Sequence, residues 1–147
     1  MLKQRIITAV VLLAILLPAL FYPSYVPFAV VMLVLIGAAA WEWGRLNGCG
    51  PRLSVFLGVE AVALCGLSWW LGLLQQRLPL VWIVAGGAWV LCGGLLLRAG
   101  VAGWPSVPRA LRLVGGLLAL WVAWLAAVQA RVVGINFLLS LVGLGWV

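Results

Sequence analysis

The chain contains no Asp and no His, and its carboxylates are Glu42 and Glu60 alone. Charged residues make up 7% of it and hydrophobic residues 67%, whereas soluble domains carry roughly a quarter charged residues. A chain so poor in charge cannot hide its apolar surface from water, so its solvent is lipid. Crossing a hydrocarbon core about 30 Å thick takes about 20 mostly apolar residues, which leaves room here for about six spans with short loops and no soluble domain. Backbone in lipid must satisfy its own hydrogen bonds, as helices or as a closed barrel. The apolar runs lack period-2 alternation, which favours helices. The expected fold is all-α, a polytopic transmembrane helix bundle forming one membrane domain over residues 1–147.

The net charge of +7 does not indicate nucleic acid, because the basic residues stand singly between apolar runs and form no stripe. Such spacing orients membrane helices. With the N-terminus in the cytoplasm, the inner segments hold Lys3, Arg5, Arg45, Arg52, Arg98, Arg109 and Arg112, and the outer ones Arg77 and Arg131. That asymmetry satisfies the positive-inside rule and favours a multi-pass membrane protein with its N-terminus in the cytoplasm. Cys49, Cys65 and Cys92 have no CxxC spacing. They read as small buried hydrophobes, not as a disulfide or metal site.

The expected spans are 6–22, 27–43, 53–74, 80–97, 113–128 and a short last run over 132–147. Lys3 and Arg5 before an apolar run also suit a signal peptide, but a second span follows almost at once. Pro23 and Pro27 divide the first two spans. Residues 47–52 form a polar loop, 98–112 the longest loop, and Gln129 to Arg131 a turn. The last run of about 16 residues covers about 24 Å, short for a full crossing. Gly115, Ala119, Ala123 and Ala127 recur every four residues along the fifth span. This stripe of small side chains suits helix packing within the chain, and a homodimer is the alternative. Trp121 and Trp124 flank it, filling space or facing lipid.

Four polar positions stand out. Glu42 and Arg45 lie three apart at a helix end and are placed to pair; the other role for Arg45 is to meet a lipid phosphate, whose geometry guanidinium matches. Glu60 lies inside the third span, where an ionisable group is costly and marks a functional candidate. It is expected either to be buried or snorkelling and paired with an Arg or Trp, or to line a polar cavity. Asn136 and Ser140, one turn apart, either bond to another helix or face a hydrophilic cavity.

Two segments resemble the bacterial phosphatidate cytidylyltransferase (CDP-diacylglycerol synthase) family. Residues 1–13, MLKQRIITAVVLL, are similar to its opening LKxRIxTA. Residues 38–46, AAAWEWGRL, are similar to its AxWEWxRL and contain Trp41, Glu42 and Arg45, whose role the likeness leaves unassigned. Residues 144–147, LGWV, look like the start of a WxAD stretch preceding the family's catalytic half. The resemblance implies phospholipid biosynthesis in a bacterial inner (plasma) membrane: phosphatidate attacks the α-phosphorus of CTP, giving CDP-diacylglycerol and pyrophosphate. It also implies a divalent cation such as Mg²⁺, since both partners are anionic and Mg²⁺ takes carboxylate ligands. The family's Asp residues and its basic Ser/Lys/Arg signature have no counterpart here, so no catalytic or metal-binding residue carries over. The expectation is the N-terminal part of a longer enzyme, the stop inside a short final run favouring truncation over a degenerate homologue. Such a chain is expected to be inactive on CTP by itself. The reading from another class is a small non-catalytic membrane transport or assembly subunit.

Overall fold

The computed structural model describes residues 2–144; the side chains of Leu2, Lys3, Arg5, Val101, Ala102 and Trp104 lie outside the description. Residues 145–147, with most of the segment likened to WxAD, lie outside it too. Six helices follow in order: α1 (Leu2–Phe21), α2 (Val26–Leu46), α3 (Pro51–Trp70), α4 (Pro79–Gly103), α5 (Arg109–Val133) and α6 (Ile135–Leu144). A single 3₁₀ turn, Trp104–Ser106, links α4 to α5, and no strand occurs among the described residues. Helices α2, α3, α4 and α5 are long and apolar enough to cross a membrane. The apolar stretches Ile6–Phe21 and Ile135–Leu144 are shorter. The all-α polytopic bundle expected from composition is what forms.

Prolines and glycines set the boundaries. Pro27 and Pro51 sit at the first helical positions of α2 and α3, where their missing N–H is not needed. Two expected boundaries are corrected. The long loop over 98–112 shrinks to the segment around the 3₁₀ turn, because α4 runs to Gly103 through a break at Gly100 and α5 begins at Arg109. The turn expected at Gln129 to Arg131 is helical; α5 ends instead at Gly134, whose φ of +156° is open to glycine and closed to β-carbon-bearing residues.

Helix α2 is the hub, packed on α3, on α5 and on the end of α1, while α6 packs on α5. The α2–α3 contact is built from small residues. A β-carbon on Gly58 would lie 2.9 Å from the Gly37 carbonyl oxygen, and one on Gly37 would lie 2.8 Å from Val62 Cγ2. Ala40, Ser54, Ala61 and Cys65 are buried along the same seam. Lipid gives no hydrophobic force between helices, so close backbone approach supplies the attraction.

Helix α5 fixes the third side through indole donors. Trp124 is fully buried, and its Nε1 donates to the Ala29 carbonyl at 3.3 Å. Trp121 Nε1 donates to Ser68 Oγ at 2.8 Å. These contacts run α5 antiparallel to α2 and parallel to α3. Trp121 and Trp124 therefore face the bundle, correcting the lipid-facing alternative. The small-residue stripe does the opposite: Gly115, Ala119 and Ala123 are exposed and Ala127 half-buried, so it is not the packing face of α5 within the chain.

Helix α4 stands apart. Leu78 and Trp82 pack against the core, but from Ile83 to Gly100 all residues are exposed except the half-buried Ala85 and Gly93.

Candidate functional site

Residues 44–54 make a tight hairpin at one end of the bundle. The Cys49 N–H donates to the Gly44 carbonyl and the Gly48 N–H to the Arg45 carbonyl, both at 2.9 Å. Gly48 has φ +72°. This is a Schellman closure, with glycine at its left-handed position. Asn47 Nδ2 also caps the Trp43 carbonyl at 2.9 Å. The hairpin is pressed shut: a β-carbon on Gly44 would come 2.9 Å from Leu57 Cδ1 and 3.1 Å from Ser54 Oγ. Buried Ser54 Oγ donates to the Cys49 carbonyl at 3.4 Å.

The start of α5 joins this end through Trp43, whose Nε1 donates to the Arg112 carbonyl at 3.1 Å. The Trp43 indole lies against Gly116, in space that a β-carbon there would occupy. The contact places Arg109 and Arg112, in the first turn of α5, at the same end as Arg45 and Arg52. No acidic side chain occupies the first turn of α3 or of α5. The partial positive charge of both helix N-termini therefore adds to the four guanidinium groups. The result is an anion-attracting rim beside two tryptophans.

Within the rim, Arg45 Nη1 lies 3.6 Å from Glu42 Oε1, with both side chains more than half exposed. The Arg45 guanidinium carbon stands 4.9 Å from the Trp41 ring centroid. The pairing of Glu42 with Arg45 is thus as the spacing indicates. An exposed pair of this kind is a weak tether, worth about 0.3–0.5 kcal/mol for residues on one helix. Trp41 gives Arg45 a cation–π rest position.

Glu60 is exposed on the outside of α3, which corrects the buried alternative. Neither an Arg nor a Trp pairs with it among the described residues. Ser140 Oγ donates to the Asn136 carbonyl at 2.8 Å within α6, and both residues are exposed. Cys49 and Cys65 are buried as small apolar groups, whereas Cys92 is exposed on α4.

No group of three His, Cys, Asp or Glu side chains comes together among the described residues. Glu42 lies at the rim and Glu60 half a helix away along α3.

At the opposite end, polar side chains serve packing. Gln129 Nε2 donates to the carbonyls of Leu73 at 2.6 Å and Gln76 at 3.1 Å. Tyr25, Trp69 and Trp124 form a run of tilted rings with centroids 6.4 and 6.5 Å apart.

The architecture defines a polytopic α-helical membrane protein with a basic, tryptophan-flanked rim. The chain is 37% identical over 126 residues, 84% of its length, to a protein of Pseudomonas aeruginosa named phosphatidate cytidylyltransferase. It spans 45% of that protein. No family model and no solved structure matches it.

Proposed function

We propose that this chain is the lipid-holding membrane portion of a phosphatidate cytidylyltransferase, with Arg45 receiving the phosphate of phosphatidate. The observation that carries the reading is the 37% identity maintained over 84% of the chain, which takes in the bundle and not one motif alone. The rim supports it chemically. Phosphatidate presents a compact phosphate monoester at the membrane surface. Arg45 is anchored there by a weak pair with Glu42 and a tryptophan face, with Arg52, Arg109 and Arg112 at the same end. Guanidinium groups bind phosphate bidentately.

The chemistry on CTP is assigned to residues beyond these 147, because Glu42 and Glu60 do not converge and cannot hold the Mg²⁺ that the transfer requires. The rim's part is binding and positioning. The orientation that goes with this role puts the rim and the N-terminus on the cytoplasmic face of the inner membrane, where CTP is found.

The test is lipid selection by the purified chain in nanodiscs containing phosphatidylcholine and a minor fraction of phosphatidate. Phosphatidate is expected to be enriched around the wild-type chain. Arg45→Ala should reduce that enrichment, and raising salt should reduce it further. The chain alone should form no CDP-diacylglycerol from CTP. Equal retention of the two lipids, or enrichment indifferent to Arg45, would overturn the proposal.

The outward α4 favours a second reading, a non-catalytic assembly subunit whose exposed helix packs on other membrane proteins. That reading requires no phosphatidate selectivity, so the same measurement separates the two.

A further inference from the structure

The position of Glu60 is not explained by the rim. It is the tenth residue of the 20-residue α3, about 13–14 Å along the axis from Pro51 at 1.5 Å per residue. That is mid-depth in a hydrocarbon core about 30 Å thick. Its neighbours along the helix at spacings of three, four and seven are Leu53, Phe56, Ala63 and Leu67, all exposed. The other side of α3 is already occupied: Ser54, Leu57, Gly58, Ala61, Cys65 and Ser68 are buried, on the side where α2 and α5 pack. A carboxylate centred on an apolar strip is not left facing acyl chains; such groups turn to a protein partner or to water.

Among the described side chains Glu60 has no partner. Arg52, the basic residue of α3, lies eight positions earlier, about 12 Å of helix rise. Arg45 is engaged by Glu42 at the rim, and Arg109 and Arg112 open α5 at the same end. Arg131 is committed to carbonyls at the opposite end. A second copy brings the same set and, face to face on α3, another carboxylate. Lipid headgroups stay at the surface.

We infer that the Leu53–Phe56–Glu60–Ala63–Leu67 face of α3 seats a transmembrane helix of a separate polypeptide, one carrying a basic side chain at mid-depth. The strip supplies apolar flanks for such a helix, Ala63 lets it approach closely, and Glu60 pairs with its cation out of water. The pairing fixes the depth and register of the incoming helix, because one carboxylate on an otherwise apolar strip has one place to be satisfied.

The experiment uses the purified full chain in phosphatidylcholine vesicles. The probe is a synthetic Leu/Ala transmembrane peptide with one central Lys, compared with the same peptide carrying Leu or Gln there. Association is read by energy transfer between labels on the two partners. The Lys peptide should bind the wild-type chain about tenfold more tightly than the Glu60→Leu or Glu60→Gln chain, a difference of about 1.4 kcal/mol. The Leu peptide should not distinguish them. A photoactivatable residue in place of Ala63 should cross-link to the Lys peptide. Both substitutions fall on the outer face, and Glu60→Gln preserves shape, so folding is not at issue. Equal affinity of all three chains for the Lys peptide, equally tight binding of the Gln peptide, or cross-linking from position 63 to a second copy of the chain would each overturn the inference.

Discussion

Arg131 holds the end of α1 through the Leu20 carbonyl, to which its Nε donates at 2.9 Å, while Nη2 donates to the Tyr22 carbonyl at 2.6 Å. The last carbonyls of a helix have no partner within it, and a cation there also complements the helix dipole. Helix α1 needs this tie, since Ala19 and Leu20 near its end are buried while most of its earlier residues face outward. Arg131→Ala should cost about 1.5–3 kcal/mol, the range for hydrogen bonds to a charged group. Arg131→Lys should cost less, because an ammonium keeps the charge but loses the fork. Reversible unfolding in mixed micelles gives the magnitude. Amide exchange at Phe21 and Tyr22 gives the location, and unchanged exchange there in Arg131→Ala would contradict the assignment.

The same arginine shows where sequence reading runs out. Gln129 and Arg131 interrupt an apolar run and so look like a turn, yet both extend from a continuing helix to carbonyls of its neighbours. A polar side chain at a membrane boundary can end a helix or reach sideways from it, and its chain neighbours alone do not decide which. Arg98 and Arg112 bound an expected loop for the same reason, although α4 runs through Arg98 and α5 begins at Arg109. The Glu42–Arg45 pair was legible because both partners lie on one turn. The Trp43–Arg112 contact that completes the rim spans 69 positions and left no local signal. The small-residue stripe of α5 is real as a pattern, but the packing seam formed along Gly37, Ala40, Gly44, Ser54, Gly58 and Ala61. Which small face is used depends on the helix that arrives there.

That seam predicts opposite outcomes for two glycines of α3. Gly58→Ala sets a β-carbon against the Gly37 carbonyl oxygen, a backbone atom that cannot swing away. It should separate α2 from α3 at a cost of about 1–3 kcal/mol. Gly66→Ala meets nothing within 4 Å and should stabilise the helix by up to about 1 kcal/mol. Unfolding midpoints of the two variants in one micelle system test the pair, and equal shifts would remove the close approach as the cause.

At the rim, Gly116 and Trp43 compete for one volume. Gly116→Ala should be destabilising by about 1–3 kcal/mol, and Trp43→Leu should relieve most of that because the smaller side chain vacates the space. The Trp43→Leu change also removes the donor to the Arg112 carbonyl, so the double-mutant cycle is the informative measurement. Additive losses would place the two residues out of contact. A coupling energy that offsets the glycine penalty would confirm the junction that brings α5 to the basic end.

The last prediction concerns which way the bundle faces. Contacts put Arg45, Arg52, Arg109 and Arg112 at one end, with Arg77 and Arg131 at the other, and Arg131 is already spent on α1. The positive-inside rule then sends the four-arginine end to the cytoplasm. Single cysteines report this in a background carrying Cys49→Ala, Cys65→Ala and Cys92→Ala. Gly48→Cys marks the rim hairpin, although its positive φ makes the substitution strained, so Asn47→Cys serves as the companion site. Gln76→Cys marks the far turn. A membrane-impermeant maleimide added to intact cells should label position 76 and leave 47 and 48 unlabelled until the cells are opened. Labelling of the rim from outside would place Arg45 away from the compartment that supplies CTP, and with it remove the rim from any cytidylyl transfer.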